Sequence, residues 1–313
     1  MGLFSKKWNP EGKHAYVTGG STGLGLSLAQ LLVKRGAHVS IVARNEKRLA
    51  AALESLEALR VNPSQNIKAY SHSLDTAAAS EKALDEVCQL YDGVAPDIVF
   101  NCAGASRPGF FVEMSEQDLT NGMKDGYWVQ AWTAWAAAKK MAKQRRKGAK
   151  IVFVASTLAY MSFVGWASYS PAKHALRGLA DTLRSEMLLY GVDVHIHFPN
   201  TMFTPGFEEE NKTKPDIVRK IEEGDDGTLP GPAAEILLNG VQNGHPHIVG
   251  DLITALFSAS TRGSAPRRNW LLEGLYDFVA YIAVPVWRSG VDKQVTEHGE
   301  VHYEYLAGKG FFA

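Results

Sequence analysis

The stretch from His14 to Leu32 reads HAYVTGGSTGLGLSLAQLL and decides the fold. It begins with an apolar run typical of a buried strand, and its leucines then recur at helical spacing. Between strand and helix lies the turn Gly19-Gly20-Ser21-Thr22-Gly23-Leu24-Gly25. Glycines at the start of a helix let the backbone and its free N–H groups approach an anion, so this stretch predicts a dinucleotide-binding unit. For the glycines taken alone, a plain turn is the alternative.

Further apolar runs alternate with helical patterns as far as about Gly250. They lie at residues 38–42, 67–70, 98–101, 151–155, 194–198 and 247–249. Strands that alternate with helices predict an α/β fold with a doubly wound parallel sheet, the Rossmann fold. Ligands of such sheets bind where the strands end, so residues that follow a strand are candidate site residues.

The chain divides into a predicted Rossmann-type domain at residues 1–250 and an apolar helical extension at residues 251–313. Residues 202–229 are polar and charged and interrupt the α/β pattern. This insertion indicates a mobile lid over the site, with an insertion that has no role as the alternative.

Composition excludes some function classes. The chain has 313 residues, with 33 basic and 33 acidic side chains, so it lacks the excess positive charge of a nucleic-acid binder. The cysteines, Cys88 and Cys102, give neither a disulfide framework nor the ligand spacing of a zinc site. We therefore expect no nucleic-acid partner, no metal and a reducing compartment.

Charged residues after the second and third predicted strands refine the ligand. Arg44 follows the second strand, where an NAD-binding protein would present an acidic residue to the ribose. A guanidinium there suits a 2′-phosphate, with Arg48 one helical turn further on as support, so NADPH is favoured over NADH. A solvated surface arginine is the alternative. Asp75 is predicted to accept a hydrogen bond from the adenine, or else to cap the following helix.

Three side chains predict carbonyl reduction. Tyr169 and Lys173 are four residues apart in a predicted helix, and Ser156 ends an apolar strand thirteen residues before Tyr169. A phenol has a pKa of about 10, and we expect the nearby ammonium to lower it so that Tyr169 exchanges a proton with a carbonyl oxygen. Ser156 would donate a hydrogen bond to the same oxygen. The Tyr-x-x-x-Lys spacing alone also occurs by chance in many helices.

These motifs together resemble those of the short-chain dehydrogenase/reductase superfamily. They are TGGSTGLG at residues 18–25, NCAG at 101–104, and Ser156 followed by Tyr169 and Lys173. Within it, the segments FPNTMFTPGF at 198–207 and ENKTKP at 210–215 are similar to the 3-ketodihydrosphingosine reductases of sphingolipid synthesis. The resemblance extends from about His14 to about Arg288.

The resemblance implies a set of site residues. The catalytic residues would be Ser156, Tyr169 and Lys173. NADPH would be bound by Gly19, Ser21, Thr22, Gly23, Leu24, Gly25, Arg44, Arg48, Asp75, Asn101, Ala103, Gly104, Tyr169, Lys173 and Thr204. Two departures matter: the superfamily usually has an asparagine for a proton-relay water where this chain has Gly126, and a glycine where this chain has Asn200, a residue that tolerates a left-handed backbone. Asp125 or Asn121 would replace the missing asparagine.

The C-terminal region predicts contact with a membrane surface. Residues 270–287 are rich in leucine, valine and aromatic residues, with tryptophan at both ends. Glu273 and Asp277 would define a narrow polar face, and Pro285 would break a straight helix, so an interfacial or re-entrant helix fits better than a transmembrane one. A helix packed in the core or in a dimer contact is the alternative.

The implied activity is NADPH-dependent reduction of 3-ketodihydrosphingosine to dihydrosphingosine at the cytosolic face of the endoplasmic reticulum membrane. The lipid chain would lie near Met161, Phe163, Trp166, Phe203 and Phe207. Reduction of another lipophilic ketone or alcohol (a steroid, a retinoid or a fatty acyl derivative) is one alternative, and a catalytically silent NADPH-binding protein is another. A homodimer or homotetramer is left open.

Overall fold

The computed structural model describes residues 7–223 and 225–311, and these form a doubly wound parallel α/β sheet with a helical C-terminal region. The first six residues of the predicted domain, Gly224 of the predicted lid, and residues 312–313 of the extension lie outside the described residues. The strands are β1 His14–Thr18, β2 His38–Ala43, β3 Ile67–Ser71, β4 Ile98–Asn101, β5 Lys150–Val154, β6 Asp193–Phe198 and β7 His247–Val249. The predicted fold class is confirmed.

Helices cover both faces of the sheet, as parallel strands require. They are α1 Gly23–Lys34, α2 Glu46–Glu57, α3 Ala77–Gln89, α4 Glu116–Met123, α5 Val129–Lys143, α6 Ser170–Glu186, α7 Pro205–Asn211, α8 Asp216–Ile221, α9 Pro230–Gln242, α10 Leu252–Ser260, α11 Trp270–Glu297 and α12 Gly299–Gly308. Every residue of β1, β4 and β5 is buried, because these strands lie in the middle of the sheet between two apolar layers.

The strand order β3-β2-β1-β4-β5-β6-β7 reverses direction between β1 and β4. The chain builds outward from β1 to β3, returns to pair β4 with β1, and then builds outward on the other side. A crevice for ligands forms at such a switch point, at the carboxyl ends of the strands. The glycine turn after β1 and the NCAG segment after β4 therefore lie side by side.

The insertion at residues 202–229 is built from α7 and α8 and closes on itself through a bridge between Met202 and Thr228. Ile217 and Val218 of α8 are buried in an apolar cluster with Leu158 and Trp166, which belong to the segment between β5 and α6. The insertion is thus packed on the elements that carry the predicted catalytic residues.

The C-terminal helix α11 differs from its prediction at Pro285. The proline lies inside the helix, which runs on to Glu297 instead of breaking there. Glu273 is paired with Arg262, and Asp277 is paired with Arg267 at 2.5 Å, so the polar face of α11 is turned toward its own protein. The described residues contain no helix with the length and apolar character needed to cross a membrane.

The opposite face of α11 is strongly apolar and exposed. Leu271 is 89% exposed and Tyr281 is 81% exposed, and Leu275, Phe278, Ile282 and Val286 are exposed as well. Further along, Trp287 packs on Phe257 with the ring centres 4.8 Å apart, which fixes the middle of α11 on α10. The helix is therefore anchored on one side and leaves an uncovered apolar stripe on the other.

A close contact holds the catalytic helix against its neighbour. Gly126 lies in a π-helical turn, Lys124–Trp128, that joins α4 to α5. A Cβ at Gly126 would lie 2.6 Å from the Cβ of Ala172 in α6. Only a residue without a side chain permits this approach, so the glycine has a packing role.

We predict that Gly126→Ala lowers the free energy of unfolding by about 1–3 kcal/mol, because the added methyl group forces α6 away from the turn. Gly178→Ala, in α6 itself, is the control, since nothing lies within 4 Å of a Cβ at Gly178. Alanine should stabilise the helix at Gly178 by up to about 1 kcal/mol. Urea unfolding measures both variants, and equal stability of Gly126→Ala and the parent would contradict the packing role.

Candidate active site

The three predicted catalytic side chains meet at the carboxyl edge of the sheet. Ser156 follows β5, Tyr169 directly precedes α6, and Lys173 lies in the first turn of α6. The Ser156 hydroxyl interacts with the Tyr169 phenol. The Lys173 ammonium nitrogen lies 5.3 Å from the centre of the Tyr169 ring. A hydroxyl, a phenol and an ammonium thus surround one position.

The surroundings raise the pKa of Tyr169. Burial contributes most, the negative charge of Glu210 raises the pKa further, and Ser156 lowers it. The expected net lowering of this pKa is wrong for the structure, because burial and Glu210 raise the pKa of Tyr169 and the ammonium of Lys173 donates its hydrogen bond to the Val154 carbonyl. Tyr169 is consequently a neutral phenol near neutral pH, which is the form that donates a proton.

Lys173 is fixed to the sheet by the backbone of β5. Its ammonium donates a hydrogen bond to the carbonyl oxygen of Val154 at 3.1 Å. Burial lowers the pKa of Lys173 to about 8, so the ammonium form still predominates at neutral pH.

Gln130 is a residue of this site that the sequence analysis missed. It is 1% exposed, and its amide forms two hydrogen bonds with Val154, donating to the carbonyl at 2.8 Å and accepting from the N–H at 3.1 Å. The Val154 carbonyl therefore accepts from both Gln130 and Lys173. The sequence signal that could have indicated Gln130 is its amide side chain among the apolar residues that begin α5.

The glycine turn after β1 has the geometry of a cradle. Gly19 and Gly23 have positive φ angles of 64° and 56°, which suit glycine. A Cβ at Gly19 would lie 2.9 Å from the backbone of Ala103, and a Cβ at Gly25 would lie 2.4 Å from the carbonyl oxygen of Gly19. The positive φ angles and these close approaches leave no room for a side chain at Gly19 or Gly25.

The remaining residues of this turn divide by exposure. Ser21 and Thr22 are partly exposed, and the Thr22 side chain caps no backbone N–H of α1. Leu24 is buried in the core, so only its backbone faces the turn. Thr204 reaches the same place from the insertion, because a Cβ at Gly23 would lie 3.2 Å from the Thr204 methyl group. The structure brings together the glycine turn and Thr204, which are far apart in sequence.

The NCAG segment lies beside this cradle. The Thr18 hydroxyl accepts a hydrogen bond from the backbone N–H of Ala103 at 3.2 Å, which ties the segment to β1. Asn101 is fully buried and donates to Val152, but its side-chain oxygen has no hydrogen-bond partner among the described residues. Gly104 is exposed at the edge of the crevice. A buried acceptor without a donor, next to a glycine cradle, fits a bound nucleotide or an ordered water.

Arg44 directly follows β2 and Arg48 lies in the first turn of α2; both are exposed, and neither forms a salt bridge with another described residue. Asp75 forms a 2.9 Å salt bridge with Lys124, which holds the pKa of Asp75 below its usual range. The alternative that Asp75 caps the following helix is wrong, because Thr76 accepts the N-terminal hydrogen bond of α3. An ionised Asp75 beside the crevice keeps its predicted acceptor character.

The predicted replacements for the missing asparagine have different surroundings. The Asn121 side chain accepts a hydrogen bond from Gln117 on an exposed face and does not take part in the site. The backbone carbonyl of Asp125 accepts from the N–H of Ala105 at 3.3 Å, next to Gly104. The π-helical turn thus presents a backbone carbonyl beside Gly104, one residue before Gly126, where the resemblance places the asparagine.

An apolar groove of about 450 Å³ opens beside the catalytic residues. Its lining includes Phe110, Phe111, Phe163, Val164 and Trp166. The catalytic residues do not line it, but the Trp166 ring lies 5.7 Å from the Tyr169 ring, centre to centre. The groove therefore begins one side chain away from the phenol.

Comparison with known proteins agrees with this geometry. The family model described as short chain dehydrogenase matches residues 13–215. A protein named 3-ketodihydrosphingosine reductase from Cryptococcus neoformans var. neoformans is 45% identical over 97% of this chain and 90% of its own length. A 3-dehydrosphinganine reductase from Danio rerio is 34% identical, covering 86% of this chain and 80% of its own.

The solved structures support the fold. A short-chain dehydrogenase/reductase from Burkholderia phymatum, solved in complex with NAD, superposes with a TM-score of 0.70 over 84% of this chain and 98% of its own at 19% identity. The chain belongs to the short-chain dehydrogenase family, in the branch that holds these 3-ketodihydrosphingosine reductases.

Proposed function

We propose that this protein reduces 3-ketodihydrosphingosine to dihydrosphingosine with NADPH. The observation that carries the proposal is the meeting of Ser156, Tyr169 and Lys173 beside a glycine cradle. The choice of substrate is supported by the 45% identity with a protein named 3-ketodihydrosphingosine reductase, over nearly the full length of both chains.

In the proposed mechanism, Tyr169 is the general acid. The ketone oxygen binds between the Ser156 hydroxyl and the Tyr169 phenol, and the serine donates a hydrogen bond that polarises the carbonyl. The cofactor, when bound, supplies the hydride that the carbonyl carbon accepts. As negative charge develops on the oxygen, Tyr169 gives it the phenolic proton. Because the pKa of Tyr169 is raised, the phenol is protonated before the transfer begins.

Lys173 compensates the charge that this proton transfer leaves behind. Loss of the proton makes Tyr169 a phenolate in a buried site, which is unfavourable without a nearby cation. The ammonium, 5.3 Å from the ring centre, provides one without moving, because Val154 holds it. Gln130 holds the same carbonyl and therefore acts as a positioning residue.

The residues of the crevice would hold a dinucleotide. Gly19, Ser21, Thr22, Gly23 and the N-terminus of α1 would bind the pyrophosphate, and Asp75 would accept from the adenine. Asn101, Ala103 and Gly104 would lie beside the adenosine ribose, Lys173 would contact the nicotinamide ribose, and Thr204 would bind the carboxamide. Arg44 and Arg48 would bind the 2′-phosphate that distinguishes NADPH from NADH.

The apolar groove would hold the lipid chain. Phe163 and Trp166, both predicted chain contacts, line it. Met161 packs both against the core and against the cluster that contains Trp166, and Phe203 and Phe207 pack on each other with ring centres 5.6 Å apart in the insertion. We therefore assign the chain to the groove and the last two rings to a lid over the reacting end, formed by residues 202–229.

The exposed stripe of α11 would rest on the endoplasmic reticulum membrane, with the catalytic domain in the cytosol. We assign α11 to the membrane interface because its apolar face is exposed while its polar face is paired to its own protein. Residues 251–313 would thus be the membrane-contacting part of the chain and residues 1–250 the catalytic part. A lipid substrate would reach the groove from that surface.

Replacement of Tyr169 by phenylalanine tests the chemistry. Tyr169→Phe removes the proton donor and keeps the ring, so we predict a loss of kcat of at least about 100-fold with NADPH affinity nearly unchanged. Turnover is followed by the absorbance of NADPH, and affinity by its fluorescence. Turnover close to that of the parent would argue against this mechanism.

Replacement of Arg44 by aspartate tests the cofactor choice. We expect Arg44→Asp to weaken NADPH binding by about 10- to 100-fold, through loss of a charge-assisted contact, and to change NADH binding little. Lys47→Asp, an exposed charge reversal in α2, is the matched control. Equal losses of affinity for NADPH and NADH would show that Arg44 does not bind the 2′-phosphate.

Vesicle flotation tests the membrane contact. The triple variant Leu275→Ser, Phe278→Ser and Ile282→Ser should reduce binding to phosphatidylcholine vesicles at least about 10-fold, since each side chain loses apolar contact with lipid. The control, Leu188→Ser with Leu189→Ser, changes exposed apolar residues after α6 and should bind as the parent does. Unchanged binding of the triple variant would refute the assignment.

A further inference from the structure

A buried group of charges lies in the insertion next to the active site. Lys214 is 2% exposed and forms salt bridges with Glu210 at 2.8 Å and with Glu222 at 2.7 Å. Burial lowers the pKa of Lys214, but the two carboxylates raise it more, so the side chain stays an ammonium. The group consists of two carboxylates and one ammonium and therefore has an excess of one negative charge.

Glu210 is the member of this group that reaches the catalytic residues. Its carboxylate accepts a hydrogen bond from the hydroxyl of Ser106, at 2.5 Å, just after the NCAG segment. Its partner Lys214 lies 5.3 Å from the centre of the Trp166 ring, which itself contacts Tyr169. Glu210 is also close enough for its charge to raise the pKa of the Tyr169 phenol. Glu222 has no such effect on Tyr169.

An unpartnered donor lies in the same place. Trp166 is 3% exposed, and its indole N–H has no acceptor among the described residues. Buried donors are rarely left unpaired, so this N–H indicates a position for a ligand or a water. The region beside Tyr169 therefore combines an excess negative charge with a free donor.

We propose that Glu210 is the residue that binds the ammonium group of the substrate. The inference rests on the proposed function, in which the ketone carries an amine on the carbon next to the carbonyl and a hydroxyl on the carbon beyond. When the carbonyl oxygen binds Ser156 and Tyr169, the amine lies one carbon away, and we place it toward Glu210, whose partner Lys214 lies against the Trp166 ring next to Tyr169. The amine supplies the positive charge that the group lacks, and the Trp166 N–H donates to the terminal hydroxyl.

The competing explanation is that Glu210 only holds the insertion in place through Lys214. In that case Glu210 and Glu222 have equivalent roles, because both pair with the same ammonium. Loss of either carboxylate would then affect all substrates alike. Recognition of the amine predicts an effect of Glu210 that depends on the substrate.

The experiment compares 3-ketodihydrosphingosine with 1-hydroxyoctadecan-3-one, the same ketone without the amine. We expect Glu210→Gln to lower kcat/KM about 10- to 100-fold more for the amine-bearing ketone than for the amine-free ketone. Glu210→Asp, which keeps the charge, should recover part of the loss. Glu222→Gln is the matched control, and it should change kcat/KM by the same factor for the two ketones. NADPH fluorescence and thermal unfolding show whether each variant is folded.

If Glu210→Gln lowers kcat/KM equally for both ketones, or does not lower it for the amine-bearing ketone, the assignment is overturned. The proposed function would remain intact. The parent protein gives a test that needs no variant, because it should prefer the amine-bearing ketone at least about 10-fold. Equal use of the two ketones by the parent would also overturn the role of Glu210. Failure of the parent to reduce 3-ketodihydrosphingosine at all would instead overturn the proposed function.

Discussion

The buried hydrogen bond from Lys173 to the carbonyl of Val154 is the interaction on which the site depends. It joins the catalytic helix α6 to the end of β5, so that a side chain of the helix and the serine after the strand meet in one place. Gln130 reinforces the bond by holding the same carbonyl. Because Lys173 is fixed by the sheet, its charge is available where the Tyr169 phenol releases a proton, and no side chain has to reorganise during the step.

The electrostatics of the site suit reduction better than the sequence pattern suggested. Burial and Glu210 keep Tyr169 protonated, while burial lowers the pKa of Lys173 to about 8 without removing its charge at neutral pH. An uncharged donor beside a fixed cation is poised to give a proton to a developing alkoxide. The carboxylate that disfavours the phenolate would be offset by a substrate ammonium, so substrate binding itself would ease proton transfer from Tyr169.

Much of the fold could be predicted because periodicity and glycine placement are local signals. Each predicted strand appears within about two residues of its expected bounds, and the strands buried on both faces, β1, β4 and β5, read as continuous apolar runs. The catalytic trio was visible for the same reason, because its spacing belongs to one strand end and one helix turn. The cradle of Gly19 and Gly23 has the backbone geometry that its glycines implied.

What sequence reasoning missed depends on contacts between distant segments. Gln130 gains its importance from Val154 and Glu210 from Tyr169, and no local pattern connects either pair. The direction of the Tyr169 pKa depends on burial, which the Tyr-x-x-x-Lys spacing does not report. Pro285 lies inside α11 because tertiary contacts, such as that of Trp287 with Phe257, outweigh the local preference of proline to end a helix.

Isotope transfer tests the central claim most directly. The purified protein is incubated with 3-ketodihydrosphingosine and NADPH that carries deuterium at the transferable position of the nicotinamide, and the lipid product is analysed by mass spectrometry. The account predicts dihydrosphingosine with one deuterium on the carbon that bore the ketone. Unchanged substrate in the presence of bound NADPH, or a reduced product without deuterium at that carbon, would contradict it.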